Sequence, residues 1–433
     1  MPSRPPLNSM VNSPSRLTKN SLWLIFSRFA AQGLAVIFTI LLARRLGTAE
    51  FGAYAFIAAI LFVANALTTF GTDMLLIREI AAKDDLSGLP AALIVQLALS
   101  SVFILLVWFL GELIPNQSPE TTMALKVYSL ALIPLAFFTV FTTALRGKQL
   151  MDVYASLNIL VSLLQVGAVL ILRDNNLITL SGFLLSIQIL AAFFAGLLCH
   201  FVMPHFWSSW HLSSHLFSLF KAALPIAILT VLTMVYQRLG VTMLSLMTTP
   251  TDTGIFSAAA RVVEASKTAH IAVFAALYPV MAQDMALPGN SALSTPRSKR
   301  RLTIMYLVVG ASFISLLLFA FAKPLIALLY GNEYISSINV LQILAWTLIP
   351  FTVNTYLTLS FLASKQEQLV GRALTVSLLG MLILNLWWIP ARGPEGGAWA
   401  SLIAECLQSV ILLVSAWSFA HISGEAHEFP QLP

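Results

Sequence analysis

The sequence is poor in charged residues and in cysteine. Asp, Glu, Lys and Arg make up only 10% of its 433 residues, whereas soluble domains usually carry about 25%. The two cysteines, Cys199 and Cys406, both lie in apolar segments. Neither a disulfide framework nor a cysteine metal site is therefore predicted. These absences exclude an ordinary soluble domain and a disulfide-rich secreted one.

Motifs that would carry several other activities are missing as well. The Gly147-Lys148 dipeptide lacks the earlier glycine and the following Ser or Thr of a nucleotide-binding P-loop. No apolar segment is Arg-rich like a voltage sensor, and no loop is typical of a channel filter. His211 and His215 have metal-ligand spacing but no third ligand nearby. The sequence predicts no enzyme, no catalytic residue, no metal and no cofactor.

Long apolar segments dominate the composition. Hydrophobic residues make up 58% of the chain, and the mean hydropathy is +0.86. The apolar segments are continuous over about twenty residues, as membrane helices require, and lack the alternation of β-barrel strands. The sequence predicts an all-α polytopic membrane protein. Twelve transmembrane helices are expected near residues 21–43, 51–76, 89–113, 122–145, 154–172, 178–203, 217–247, 254–283, 302–329, 337–363, 369–389 and 397–420.

The basic residues predict the orientation of these helices. Most of the 24 Lys and Arg residues fall on segments that are cytoplasmic if the N-terminus is inside, which agrees with the positive-inside rule. Both termini are therefore predicted to be cytoplasmic. The net charge of +6 reflects topology and lipid headgroups, and we predict no nucleic-acid partner.

An internal repeat divides the chain into two halves. Phe51-Gly52-Ala53-Tyr54 recurs as Thr253-Gly254-Ile255-Phe256, and three later matches keep nearly the same offset. Because each half holds six spans, both insert in the same orientation, which predicts two lobes related by a pseudo-twofold axis along the membrane normal. The predicted organisation is a disordered cytoplasmic tail at 1–20, a six-helix lobe at 21–203, an interfacial linker helix at 204–221, a second six-helix lobe at 222–420 and a cytoplasmic tail at 421–433.

Polar residues inside the predicted spans are the candidate functional residues, since a bilayer rarely tolerates them without a role. Arg28 lies in the first span, on one helical face with Ser21, Gln32 and Thr39. One interpretation is that this face lines a hydrated cavity. The other is that Arg28 reaches the headgroups by snorkelling.

A second charged group lies in span eight, where Arg261, Glu264 and Lys267 follow at i, i+3 and i+6. Glu264 is thus within one turn of both cations. The group is either an anion-binding or proton-responsive cluster or a structural ion pair.

Other embedded polar groups are more isolated. Gln237 and Arg238 lie in span seven and Asn65 in span two. Amides in membrane helices commonly join helices by hydrogen bonds. Glu405 in span twelve is either a coupling carboxylate or the partner of a basic residue.

Four motifs follow one another along the chain: ARRLGTAEFGAY at 43–54, Phe70-Gly71 with Arg78, GIFSAAAR at 254–261, and YGNEY at 330–334. Together they resemble bacterial polysaccharide and O-antigen flippases of the multidrug/oligosaccharidyl-lipid/polysaccharide exporter superfamily. The resemblance implies two six-helix lobes that move a polyprenyl-pyrophosphate-linked oligosaccharide to the outer leaflet of the bacterial cytoplasmic membrane by alternating access. Many relatives carry an aspartate near Gly240, which this chain lacks. Ion coupling through that helix is therefore left open.

The chemistry of such a cargo indicates roles for the embedded residues. A sugar pyrophosphate cannot cross hydrocarbon unaided, and the guanidinium fork meets phosphate oxygens two at a time. Arg28 and Arg261 are predicted to bind the pyrophosphate, with the amides near the sugars. The full predicted substrate-binding set is Arg28, Gln32, Asn65, Gln237, Arg238, Arg261, Glu264 and Lys267, and the coupling candidates are Glu264 and Glu405.

The predicted partners are a lipid-linked oligosaccharide and membrane lipids, and the resemblance implies a glycan polymerase and chain-length proteins. Two alternatives stay open: a drug or metabolite exporter of the same superfamily, and a non-transporting membrane scaffold. Exporters of organic cations usually need an acid where this chain carries Arg28 and Arg238. A scaffold needs no embedded charges.

Overall fold

The computed structural model describes residues 14–172, 176–203, 206, 207, 210, 216–286, 297–364 and 366–422. Within these ranges, the structure describes only the backbone of residues 14–28, 216–218, 269–286, 297–303 and 419–422. The side chain of Arg28, residues 1–13 and 423–433 of the predicted tails, and most of the linker at 204–221 therefore lie outside the described residues.

The described backbone forms fourteen α-helices and two 3-10 turns, Gly111–Leu113 and Asn332–Tyr334, with no strand in the described ranges. The helices are α1 Pro14–Thr69, α2 Thr72–Lys83, α3 Leu89–Leu110, α4 Pro119–Ser129, α5 Leu132–Gly147, α6 Met151–Ile171, α7 Leu177–Val202, α8 Leu216–Met247, α9 Pro250–Ala286, α10 Arg297–Ala320, α11 Ala322–Leu329, α12 Ser337–Ala345, α13 Leu348–Ala363 and α14 Glu367–Ile422. The first helix begins inside the segment predicted as a tail at 1–20.

Two of these helices are each long enough for two membrane crossings. Both α1 and α14 contain 56 residues, which at 1.5 Å per residue is more than twice the roughly 30 Å hydrocarbon core. Each is interrupted by one non-helical glycine, Gly47 (φ 76°) in α1 and Gly393 (φ 55°) in α14. Positive φ is accessible to glycine at little cost, so these residues mark the turns between consecutive spans.

The described chain accounts for twelve spans. Seven helical stretches are long and apolar enough to cross a membrane, and two bent pairs, α10 with α11 and α12 with α13, raise this number to nine. Dividing α1 and α14 at their glycines adds two more. The helix α9 is the twelfth span. Its 37 residues are long enough to cross a membrane, but the three charges in its apolar region keep it out of the first nine.

Bulky apolar side chains are exposed on the spans. Phe109, Phe193 and Trp387 are 78%, 64% and 71% exposed. Large exposed apolar surfaces are unusual on a soluble monomer. Lipid is the medium in which these side chains are stable, so the chain is a multi-pass membrane protein.

The described helices divide into two compact units. Unit 1 comprises Met1–Leu42, Ile60–Ile114 and Ser118–Val231, and unit 2 comprises Ala43–Ala59, Pro115–Gln117 and Leu232–Pro433. Residues 43–59 and 115–117 thus belong to the same unit as the C-terminal residues. The lobes at 21–203 and 222–420 stay a prediction.

Unit 1 has an aromatic cluster around Phe141. The rings of Phe206, Trp207 and Trp210 lie with their centroids 6.0, 6.0 and 6.1 Å from that of Phe141. Aromatic pairs at this separation stabilise a contact beyond the area that they bury. The described residues of the linker are therefore packed on the helices of unit 1.

Unit 2 contains a close backbone contact between matched repeat residues. A Cβ on Gly52 would lie 1.8 Å from the Pro250 carbonyl oxygen, and a Cβ on Gly254 would lie 2.0 Å from the Thr48 carbonyl oxygen. Nearby, the buried Tyr334 hydroxyl donates a hydrogen bond to the Ala43 carbonyl at 3.0 Å. Glycine is needed at both positions because no side chain fits between the backbones.

Candidate functional site

An arginine from α8 and two charged residues from α9 form one cluster inside unit 2. Arg238 Nη1 donates a hydrogen bond to Glu264 Oε1 at 2.7 Å, and Arg261 Nη1 donates to Glu264 Oε2 at 3.1 Å. One carboxylate thus bridges two guanidinium groups. This Arg238–Glu264–Arg261 cluster carries a formal charge of +1, which favours an anion as its ligand.

Local sequence explains how the cluster assembles. Arg261 and Glu264 are three residues apart on α9 and therefore project from adjacent turns of one face. Two residues beyond Arg238, a Cβ on Gly240 would lie 3.1 Å from the Phe256 ring. The absent side chain leaves room for the Phe256 ring of α9 to pack on α8 at this level.

A small recess lies beside the cluster. About a third of the surface of the Arg261 and Glu264 side chains is accessible. The recess is far smaller than a pocket for a drug-sized ligand, and its two arginines suit a small anionic group better than a whole oligosaccharide. Its lining consists of Ala55, Ala59, Arg238, Val241, Ser257, Ala260, Arg261 and Glu264.

The recess also holds a hydroxyl that sequence reasoning did not assign to the site. Ser257 is 4% exposed, and its Oγ has no hydrogen-bond partner among the described residues. A buried polar group without a partner costs about 1–3 kcal/mol. The sequence signal that could have placed Ser257 in the site is its spacing, because it precedes Arg261 by four residues and so lies on the same helical face.

Lys267 does not share Glu264 with the arginines but pairs with another helix. Lys267 Nζ donates to Glu405 Oε1 on α14 at 2.8 Å. Asn354 Nδ2 donates to Glu405 Oε2 at 2.9 Å, and Ser409 Oγ donates to Asn354 Oδ1 at 2.8 Å. Both oxygens of Glu264 accept hydrogen bonds from arginines, and Lys267 instead donates its hydrogen bond to a carboxylate on α14.

Removing Lys267 alone should destabilise unit 2. In Lys267→Met the Glu405 carboxylate, whose side chain is 9% exposed, loses its cation. We expect a loss of about 2–3 kcal/mol, less than for a fully buried pair because Lys267 is partly exposed. The double variant Lys267→Met/Glu405→Gln removes both charges and should be more stable than the single variant. Thermal unfolding of the purified proteins checks this order, and a double variant no more stable than Lys267→Met would contradict it.

The structure brings three of the eight predicted substrate-binding residues around one recess. These are Arg238, Arg261 and Glu264. Of the others, Gln32 and Asn65 are half-buried in unit 1, Gln237 is exposed on α8, Lys267 is paired with Glu405, and the side chain of Arg28 lies outside the described residues.

A region that covers more than half of the chain matches a known protein family. Residues 17–285 match the family described as "Polysaccharide biosynthesis protein", which is more than half of the chain. The chain belongs to the polysaccharide biosynthesis protein family. This match confirms the family that the sequence motifs predicted. No curated protein matches the sequence.

Several solved structures share the fold of this family member. One, "Lipid II flippase MurJ, inward closed conformation", has a TM-score of 0.68 and 15% identity, with 91% of this chain and 87% of that chain covered. A multidrug resistance MATE family transporter of the MOP superfamily in the inward-facing conformation has a TM-score of 0.70 and 16% identity, with 94% and 100% covered. A MOP superfamily transporter from Pyrococcus furiosus has a TM-score of 0.64 and 14% identity, with 94% and 96% covered.

At these identities the likeness shows the fold alone. The predicted fold class, an all-α polytopic membrane protein with twelve spans in two lobes, is confirmed. The family match covers Arg238, Ser257, Arg261 and Glu264 but ends before Asn354 and Glu405. The cluster beside the recess thus lies within the part of the chain that the family match covers.

Proposed function

We propose that this member of the polysaccharide biosynthesis protein family is a flippase for a polyprenyl-pyrophosphate-linked oligosaccharide. It moves the head group from the cytoplasmic to the outer leaflet of the bacterial cytoplasmic membrane for cell-surface polysaccharide synthesis, with both termini in the cytoplasm. The observation that supports this most strongly is the pair of arginines that share one carboxylate beside a recess in a membrane-spanning unit.

Physical chemistry makes such a pair useful for this cargo. An isolated phosphate charge costs tens of kcal/mol to transfer into hydrocarbon, on the order of the Born energy. Two guanidinium forks offer paired donors that match phosphate oxygens in geometry and charge. Arg238 and Arg261 hold the pyrophosphate while the site is exposed first to one side of the membrane and then to the other.

The remaining assignments are predictions from the sequence. Arg28, Gln32, Asn65 and Gln237 are proposed to contact the head group, and Glu264 and Glu405 are the coupling candidates. The protein is proposed to act as a transporter and not as an enzyme. The name of one similar structure, a lipid II flippase, supports the proposal that this chain also carries a lipid-linked sugar.

The second candidate function is export of a drug or metabolite. The fold shared with a multidrug resistance transporter favours it. The net positive charge of the Arg238–Glu264–Arg261 cluster repels organic cations, so an exported molecule would be anionic. The lipid-linked cargo is the stronger candidate because of the family to which the chain belongs.

Reconstitution of the full chain into proteoliposomes tests the two functions. A fluorescent polyprenyl-pyrophosphate oligosaccharide should pass between leaflets, measured as the fraction protected from a membrane-impermeant quencher. Empty liposomes are the control. Proteoliposomes loaded with a labelled organic anion test the exporter function. Efflux of the soluble anion without movement of the lipid would favour the exporter, and neither activity would reject both.

A further inference from the structure

We infer that Glu264 is a built-in competitor for the anion site. Its carboxylate occupies the two arginines while no lipid is bound, and the pyrophosphate of the cargo displaces it. The inference rests on the proposed function, because it takes Arg238 and Arg261 as the phosphate-binding residues.

The geometry of the cluster resembles a phosphate bound between two arginines. Each carboxylate oxygen of Glu264 accepts a hydrogen bond from a different guanidinium, at 2.7 Å from Arg238 and 3.1 Å from Arg261. A phosphate group offers oxygens in the same arrangement and with more charge. Glu264 and a bound phosphate would therefore use the same donors.

The position of Glu264 allows it to leave. A third of its side-chain surface is accessible, and it lines the recess. Glu405, which also pairs with a cation, is 9% exposed and accepts hydrogen bonds from both Lys267 and Asn354. The Glu264 carboxylate can therefore rotate into the recess, whereas the Glu405 carboxylate is held in place.

Ser257 adds a donor to the recess that Glu264 does not use. Its buried hydroxyl lines the same recess and has no partner among the described residues. Both oxygens of Glu264 are already engaged, so the hydroxyl is a donor that the resident carboxylate does not use. A pyrophosphate has enough oxygens to take the arginine donors and this one as well.

The Glu264 carboxylate also lowers the energetic cost of the empty transporter returning to its starting state. Two arginines without a counter-ion inside a membrane would be strongly unfavourable. Glu264 neutralises one of the two charges after the cargo leaves. The same competition keeps the affinity for pyrophosphate low enough for release.

Binding of inorganic pyrophosphate to the purified full chain tests this inference. We expect Glu264→Gln to bind pyrophosphate at least about tenfold more tightly than the wild type, because the competing charge is gone. The matched control Glu367→Gln changes an exposed glutamate of the same unit and should stay within about twofold of the wild type. Calorimetry in lipid nanodiscs measures all three. Equal or weaker binding by Glu264→Gln overturns the inference.

A second variant keeps the test decisive if Glu264→Gln does not fold. Glu264→Asp retains the charge but is one methylene shorter, so it bridges the two arginines less well and should bind pyrophosphate several-fold more tightly than the wild type. Wild-type proteoliposomes that move the lipid, together with no gain of affinity in either variant, overturn the inference and leave the proposed function intact. A wild type that neither moves the lipid nor binds pyrophosphate overturns both.

Discussion

Replacing Arg261 by alanine is expected to reduce movement of the lipid-linked oligosaccharide at least about 100-fold. Charge-assisted hydrogen bonds contribute about 1.5–3 kcal/mol each, and the guanidinium offers two to a phosphate. The protein itself should stay folded, because Glu264 keeps its bond to Arg238 at 2.7 Å. The loss should therefore appear in transport while the amount of protein in the membrane is unchanged.

Two further variants make this test specific. Arg261→Lys keeps the charge but loses the planar fork, so intermediate transport is expected. Arg372→Ala removes an exposed arginine of the same unit and should transport like the wild type. Transport is measured with the fluorescent lipid in proteoliposomes. Near-normal transport by Arg261→Ala would show that the phosphate binds elsewhere.

Replacing Gly254 by alanine is expected to abolish correct folding. The new Cβ would lie 2.0 Å from the Thr48 carbonyl oxygen and 3.2 Å from the Gly52 amide nitrogen. Both contacts are with backbone atoms, so no side-chain rotation relieves them. Overpacking a well-packed core costs about 1–3 kcal/mol, and occasionally more. Size-exclusion profiles of the detergent-solubilised protein should show little monodisperse material.

A matched glycine on another helix of unit 2 provides the control. Gly310 lies in α10, and a Cβ there would have no neighbour within 4 Å. Alanine is the better helix former by up to about 1 kcal/mol, so Gly310→Ala should be as stable as the wild type or more stable. The prediction for Gly254 would be wrong if the two alanine variants gave the same thermal unfolding midpoint.

The sequence predicted the class of the protein and one local ion pair. Continuous apolar segments predict membrane helices, because only a helix satisfies its own backbone in lipid. The Arg261–Glu264 pair followed from a spacing of three residues on one helix. The repeat motifs identified Gly52 and Gly254 as corresponding residues, without indicating that they touch.

Tertiary structure decided which partners meet across helices. Periodicity gives the face on which a residue lies but not the helix that the face meets, so the bond from Arg238 to Glu264 was not predictable from sequence. The pairing of Lys267 with Glu405 joins residues 138 apart in the chain. The chain alone thus determined a twelve-span membrane protein with embedded charges. Only the packing of the helices decided that two arginines share one carboxylate. This contact depends on the distance between two helices, and the sequence does not specify that distance.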